Sequence, residues 1–227
     1  KGYKRSKKRM KISVDEWNVW HTKPAPNRVD VHNDCDEARW TVGARRLENI
    51  YDLADALTMA GMACTLINNA DRVKMGCLAQ LVNVIAPIFT EVGGGMFKQT
   101  IYYPYAMAIA HAKGVALRTV VCGEKMESCY GDSEKVYTAC AYEDGSYALF
   151  AINKTAEEQI CDLDFQVTPV RMTERTQLTG KLHDYNCLEA PERIVPQKVA
   201  AEGKAERLHT VRLPAYSFTL LCFAEEK

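Results

Sequence analysis

Hydrophobic positions divide the chain into an α/β front and an all-β tail. The front alternates β-prone apolar runs with stretches of helical spacing, which predicts strands at 11–14 and 73–88 and helices at 52–69 and 100–112. Both strands are apolar enough to be buried, and Asp52 is the expected N-cap of the first helix. The order strand, helix, strand, helix is typical of a parallel sheet or barrel.

The tail changes to a β pattern at about residue 113. Strand-like runs recur there, at 115–121, 135–142, 147–152, 160–167 and 210–223. Asp144-Gly145 separates two of these runs and is a strong hairpin signal. We therefore expect two domains, a barrel portion over 1–112 and a β-sandwich over 113–227.

Composition narrows the class of protein. Hydrophobic residues make up 47% of the 227 positions, and 29 basic residues balance 29 acidic ones. A neutral chain has no field that would attract nucleic acid or an anionic membrane, and we interpret the basic run at 4–9 as a solvated helix end. No apolar stretch is long enough for a membrane span, and no export segment is visible. Nine scattered cysteines favour a reducing, cytoplasmic setting.

The most informative polar residues are Asp15 and Glu16, at the end of the first predicted strand. Trp17 and Trp20 follow them, and then a long loop over 21–39. Carboxylates at a strand end, with aromatic rings to hold a sugar, are suited to glycosidic chemistry. In an extended strand the two acids point to opposite sides, so only one can face an active centre. The alternative is a strand-end pair that simply meets solvent.

Other polar residues give weaker signals. The five histidines include no pair at metal-ligand spacing, so we expect no metal site and no cofactor. Gly93-Gly94-Gly95 is interpreted as a flexible strand-to-helix loop, because the Lys-Ser or Lys-Thr of a phosphate-binding loop is missing. Ser13 and Ser217 lie in no nucleophile-elbow pattern. Gln80, in the second strand, is either a hydrogen-bonded core residue or a substrate contact, and the pattern leaves both open.

Several of these segments together resemble the α-L-arabinofuranosidases of glycoside hydrolase family 51. The matching segments are Ile12-Ser13-Val14-Asp15-Glu16-Trp17-Asn18-Val19-Trp20, Asp55-Ala56-Leu57, Asn68-Asn69-Ala70-Asp71-Arg72-Val73-Lys74, the run from Cys77 to Ile88, and Gln99-Thr100-Ile101-Tyr102-Tyr103-Pro104. The resemblance is close to about residue 112 and looser in the β tail. It implies the last two strands and helices of a (β/α)8 TIM barrel, followed by a β-sandwich.

The resemblance also implies a retaining hydrolase that removes terminal α-L-arabinofuranosyl groups from arabinose-containing oligosaccharides. By this likeness Glu16 is the nucleophile, Gln80 hydrogen-bonds the arabinosyl ring, and Trp20 lines the cleft. Family members take their acid/base Glu from an Asn-Glu motif, and this sequence contains no such dipeptide. We therefore expect a C-terminal fragment, inactive alone, of a parent enzyme that is a homo-oligomer.

Two alternatives stay open at this stage. One is a related endoglucanase or β-xylosidase on the same fold, since one fold hosts several sugar specificities. The other is a non-catalytic carbohydrate-binding or assembly module in the β tail. All three tryptophans precede residue 113, so the tail has none of the best platforms for stacking sugar rings, and a structural role is preferred for it.

Overall fold

The computed structural model describes residues 9–20, 47–201 and 203–226. Its front holds two strands and two helices, with a short hairpin before the second helix. In chain order these elements are β1 (Ile12–Trp17), α1 (Leu53–Asn68), β2 (Val73–Leu78), β3 (Ile88–Thr90), β4 (Met96–Lys98) and α2 (Tyr102–His111). β1 and β2 pair in parallel, with α1 between them in sequence. The loop predicted at 21–39 and most of the basic run at 4–9 lie outside the described residues.

All the helices and strands described in the tail are strands, as its sequence predicts. Its strands are β5 (Val115–Leu117), β6 (Lys125–Met126), β7 (Ser133–Glu134), β8 (Val136–Glu143), β9 (Ser146–Asn153), β10 (Gln159–Asp164), β11 (Val170–Thr179), β12 (Gln197–Val199), β13 (Leu208–Leu213) and β14 (Ser217–Glu225). Six of them form an antiparallel sheet in the order β12-β11-β14-β9-β8-β5. β10 and β13 form a separate antiparallel pair.

Helix α1 begins where its sequence predicts, because its first turn is capped by side chains. The Asp52 carboxylate accepts from the Asp55 backbone N–H, and the Asp55 carboxylate accepts from the Asp52 N–H. This reciprocal pair satisfies two amides that the helix itself leaves unpaired. Both residues are buried, so the cap also fixes the entry of the chain into the core.

The two faces of the six-stranded sheet bury different partners. One face packs against α1, and we call this cluster the helix-side core; its buried members include Leu53, Ala56, Ala60, Cys64, Phe150, Ile152, Leu178, Phe218 and Leu220. The other face packs against β10 and β13, and we call it the sheet-side core; it includes Leu149, Ala151, Val170, Met172, Val211, Leu213, Leu221 and Phe223. Strand alternation explains the division, since neighbouring residues of β9 and β14 fall in opposite cores.

The helix-side core crosses the predicted border at residue 113. Side chains of α1 and of β9, β11 and β14 share one buried cluster. The assignment of 1–112 and 113–227 to two domains stays a prediction. Within the described residues, helix α1 packs against the large sheet and shares a core with it.

The prediction that strands β1 and β2 are buried is wrong. Most of their side chains are exposed, with Ile12 at 45% and Met75 at 58%. Within the described part of the chain, β1 pairs only with β2, so the remaining strand edges and much of their apolar surface are uncovered. β2 also ends at Leu78 rather than at 88, because a turn follows in which the Ile88 N–H donates to the Leu81 carbonyl at 3.3 Å.

Three details of the β pattern differ from the sequence prediction. The run at 210–223 is two strands in different sheets, separated by a corner in which the Ser217 hydroxyl donates to the Pro214 carbonyl at 2.7 Å. The glycines at 93–95 close the β3–β4 hairpin rather than joining a strand to a helix. Strand β11, which lies between β12 and β14 in the large sheet, is absent from the sequence prediction. The Asp144-Gly145 turn is confirmed, with φ of 48° and 82° between β8 and β9.

Candidate active site

The carboxyl end of β1 carries the two acids in a β-bulge. Val14 pairs with Gly76 and Trp17 with Leu78, so three steps along β1 correspond to two along β2. The extra residue leaves Asp15 and Glu16 between the two ladder positions. A bulge of this kind breaks the period-two alternation and redirects side chains, and bulges are frequent beside active sites. The simple rule of opposite sides therefore does not hold at this position.

The two acids differ in their contacts. The Ser13 hydroxyl donates a short hydrogen bond to Oδ1 of Asp15, which joins Asp15 to the residue two positions before it. Glu16 is exposed, and among the described residues no side chain hydrogen-bonds its carboxylate. The Asp15 carboxylate is thus partly committed to its own strand. The Glu16 carboxylate remains accessible to an incoming ligand.

Gln80 and Trp20 lie at the same end of the parallel pair as Glu16. The Ala79 N–H donates to the Trp17 carbonyl at 3.2 Å, which brings the exit of β2 beside the exit of β1. Gln80 comes next and is exposed, so its side chain is available to solvent and is not a core residue. Trp20, four residues after Glu16, is 57% exposed. The fold therefore brings all three predicted site residues to one edge.

Buried polar residues on the core side of this strand end hydrogen-bond the backbone around it. Sequence analysis did not identify them. The Tyr51 hydroxyl donates to the Val19 carbonyl at 3.1 Å. Gln99, fully buried, accepts from the Tyr51 N–H at 3.0 Å and donates to the carbonyls of Asn49 and Ala86 at 2.9 and 2.8 Å. The sequence shows only a glutamine just before an apolar helix. That this glutamine is buried and binds three backbone groups follows from its partners in the fold.

The Trp17 indole faces the helices instead of the site. It packs edge-on against Tyr105, with ring centroids 5.6 Å apart, and lies over Gly76. It lines a groove of about 400 Å³ between α1, β2 and α2, and none of Glu16, Gln80 and Trp20 lines that groove. Its buried N–H has no partner in the described residues. This groove is therefore separate from the end of the β1–β2 pair that carries Asp15, Glu16 and Gln80, which we call the acidic edge.

The remaining chemistry of the described residues is sparse. In the described ranges no three His, Cys, Asp or Glu side chains lie close enough together to hold a metal ion. The eight described cysteines are free thiols. No helix in the same ranges has both the length and the apolar character to cross a membrane. The chemistry that this end of the parallel pair offers is that of an exposed carboxylate, an exposed amide and an exposed indole.

Comparison with known proteins identifies the family of this chain. The family described as the alpha-L-arabinofuranosidase C-terminal domain matches residues 15–217. An intracellular exo-alpha-(1→5)-L-arabinofuranosidase of Halalkalibacterium halodurans is 43% identical over 173 residues, covering 72% of this chain and 32% of that protein. One of Streptomyces lividans is 33% identical over 228 residues, covering 97% of this chain and 33% of that protein.

A solved structure shows the same relationship. A family 51 alpha-L-arabinofuranosidase from Bifidobacterium longum superposes with a TM-score of 0.80 at 30% identity, over 94% of this chain and 42% of that one. The chain thus spans about a third of the length of the curated relatives it matches. The matched family covers most of the sequence, and both the curated relatives and the solved fold agree with it. This chain therefore belongs to the family 51 α-L-arabinofuranosidases and carries their C-terminal domain.

Proposed function

We propose that this chain supplies the nucleophile half of a retaining α-L-arabinofuranosidase, with Glu16 as the nucleophile. The supporting observation is the exposed Glu16 carboxylate in the β1 bulge, at the same edge as exposed Gln80. The substrate is a terminal α-L-arabinofuranosyl group on an arabinose-containing oligosaccharide. Residues 1–112 contribute the last two strands and helices of a (β/α)8 barrel, and residues 113–227 form the β-sandwich.

The reaction is a double displacement. An oxygen of Glu16 attacks the anomeric carbon as the glycosidic C–O bond breaks, and the leaving oxygen takes a proton from a second carboxylic acid. That group, now a carboxylate, removes a proton from water, whose oxygen attacks the same carbon and releases Glu16. The two carboxyls must lie about 5 Å apart. The family's Asn-Glu motif is not in this sequence, so the second carboxyl belongs to a segment outside these 227 residues.

Gln80 and Trp20 have binding roles in this proposal. The Gln80 amide hydrogen-bonds ring hydroxyls of the arabinosyl group, and the Trp20 indole provides an apolar wall. Such contacts hold the anomeric carbon in line with the attacking oxygen, which contributes much of the rate of an enzyme. No cofactor is required, since two carboxyls and water supply the chemistry. A cytoplasmic location and a homo-oligomeric parent enzyme are further parts of the proposal.

The relatives favour this substrate over the alternatives. The reported relatives are named as exo-acting arabinofuranosidases, and none of those names refers to an endoglucanase, a xylosidase or a binding module. Specificity within a fold depends on the site, so the substrate must be tested directly. The complete enzyme is expected to hydrolyse an aryl α-L-arabinofuranoside. The 227-residue chain alone is expected to be inactive, because it supplies one of the two carboxyls.

The decisive experiment is chemical rescue of Glu16→Ala in the complete enzyme. We expect the variant to be nearly inactive on an aryl α-L-arabinofuranoside. Added azide should restore turnover and give a glycosyl azide of inverted configuration, because azide occupies the space of the lost carboxylate. Asp15→Ala is the matched control, since it removes the other acid of the same bulge. Its activity should not respond to azide. Wild-type activity in Glu16→Ala, or rescue of Asp15→Ala instead, would refute the assignment.

A further inference from the structure

We propose that Asn18 is a positioning residue for Glu16. Its side chain continues the connection between β1 and β2 beyond the bulge, and so fixes the C-terminal end of the segment that carries the proposed nucleophile. This inference rests on the proposed role of Glu16. It assigns Asn18 no contact with the substrate. It concerns how accurately the attacking oxygen is held.

Three of the four hydrogen bonds that the Asn18 amide can form are present. Nδ2 donates to the Ala79 carbonyl at 2.7 Å and, by a shorter contact, to the Ile85 carbonyl. Oδ1 accepts from the Val19 N–H at 2.7 Å. An asparagine side chain has two N–H donors and an oxygen with two lone pairs, so both donors and one acceptor position are used. The side chain thereby connects the exit of β1, the exit of β2 and the turn at 81–88.

The bulge makes this connection important for Glu16. Below the bulge β1 is fixed by the pairing of Val14 with Gly76, and above it by the pairing of Trp17 with Leu78. Glu16 lies between, outside the regular ladder. Its position therefore depends on how firmly the upper anchor is held, and the ladder ends at that point. Asn18 supplies the hydrogen bonds that follow the last ladder pair.

A second contact from the buried polar residues holds the same exit. The fully buried Tyr51 donates its hydroxyl to the Val19 carbonyl, one residue beyond Asn18. The exit of β1 is thus tied sideways to β2 by Asn18 and backwards to the core by Tyr51. Catalytic groups need to be held within roughly 0.5 Å of their productive position. A misplacement of about 1 Å can lower the rate about 100-fold.

Asn18→Ala and Asn18→Asp in the complete enzyme test this inference. Asn18→Ala removes the three hydrogen bonds, and we expect kcat to fall roughly 10- to 100-fold with KM changed less than about twofold. Asn153→Ala is the matched control, because fully buried Asn153 also donates to several carbonyls and accepts a backbone N–H, at the end of β9 in the tail. The control should lower the melting temperature at least as much but leave kcat unchanged.

The aspartate variant adds a pH signature. At neutral pH its carboxylate would face the Ala79 and Ile85 carbonyl oxygens without a proton to donate. As pH falls the acid gains a proton and recovers one donor. The ratio of variant to wild-type kcat should therefore rise toward low pH for Asn18→Asp and stay flat for Asn18→Ala.

A readout without activity separates this inference from the proposed function. Amide hydrogen exchange at Val19, measured in the 227-residue chain, should be slow in wild type and markedly faster in Asn18→Ala, with exchange in β9 and β14 unchanged. If Glu16→Ala kept full activity, the proposed function would fail. The exchange rate at Val19 would still show whether the Asn18 hydrogen bonds hold the exit of β1. Wild-type kcat in Asn18→Ala, or equal loss of kcat in Asn153→Ala, would overturn the positioning role.

Discussion

Removing the front of the chain should destabilise the β tail, because helix α1 covers one face of its main sheet. A chain of residues 113–227 would lose α1 and uncover the helix-side core. Five large side chains of the sheet, all fully buried in the described structure, lie in that core: Phe150, Ile152, Leu178, Phe218 and Leu220. Complete exposure of such side chains costs about 1.5–3 kcal/mol each. If about half of their surface becomes exposed, the loss is roughly 4–8 kcal/mol.

This loss is comparable with the whole free energy of unfolding of a typical domain, about 5–15 kcal/mol. Urea denaturation followed by circular dichroism should therefore show a cooperative transition for residues 47–227. For residues 113–227 the transition should be weak or absent, with binding of a hydrophobic dye. A point-variant pair in the intact chain tests the same contact: Ala60→Asp places a charge in the core, whereas Thr58→Asp places it on the exposed face. Equal denaturation midpoints for the two truncations, and for the two variants, would refute the reasoning.

Two further predictions concern single residues. Gly114 has φ of +73°, and an added Cβ would lie 2.2 Å from the Tyr142 carbonyl oxygen. Gly114→Ala should therefore lower the free energy of unfolding, measured by urea denaturation, by about 2 kcal/mol or more. Gly123→Ala is the control, and it should change this free energy little because the space around Gly123 is open. Burial raises the pKa of the Cys64 thiol to about 12, so alkylation of the native protein at pH 8.5 followed by mass spectrometry should label exposed Cys77 and spare Cys64. The sign of the shift also predicts that the stability associated with Cys64 is present below pH 9 and declines above it, as the unfolded thiol ionises and the folded one does not; a Cys64→Ala variant should lack that part of the decline.

Local signals explain which elements the sequence predicts well. Helix α1 is set by its apolar spacing and by the Asp52–Asp55 cap, which are contained within one stretch of chain. The β8–β9 hairpin is set by Asp144-Gly145, whose two positive φ angles match the twist of the strands it joins. In each case the residues that decide the structure are neighbours in sequence. Nothing distant has to be known.

Strand β11 shows why other elements are missed. Its sequence contains Arg171, Glu174 and Arg175, and a register shift after Met172 breaks its alternation. Met172 faces the sheet-side core and Leu178 the helix-side core, although they are an even number of residues apart. A regular strand would place both on one face. The bulge that separates them depends on pairing with β14, which lies about 50 residues later in the chain and cannot be inferred from spacing alone.

The acidic edge has the same non-local character. The sequence identifies Asp15 and Glu16 by residue type, but the bulge that holds them is defined by pairing with Gly76 and Leu78. The role of Asn18 likewise depends on Ala79 and Ile85, more than 60 positions away. Residue chemistry is thus visible in the sequence, whereas its positioning is not.

The exposure of β1 and β2 is the clearest disagreement between pattern and fold, and it has a consistent physical interpretation. Their runs are apolar enough to predict burial, yet Ile12 and Met75 are exposed. They lie on the strands that lead to Glu16 and Gln80, the proposed site residues. A hydrophobic pattern reflects the environment in which a strand works. The same strands carry one carboxyl with a proposed catalytic role, that of Glu16, where the proposed reaction needs two. Both observations fit the proposed function, in which further barrel strands pack beside β1 and β2 and one of them bears the second carboxyl.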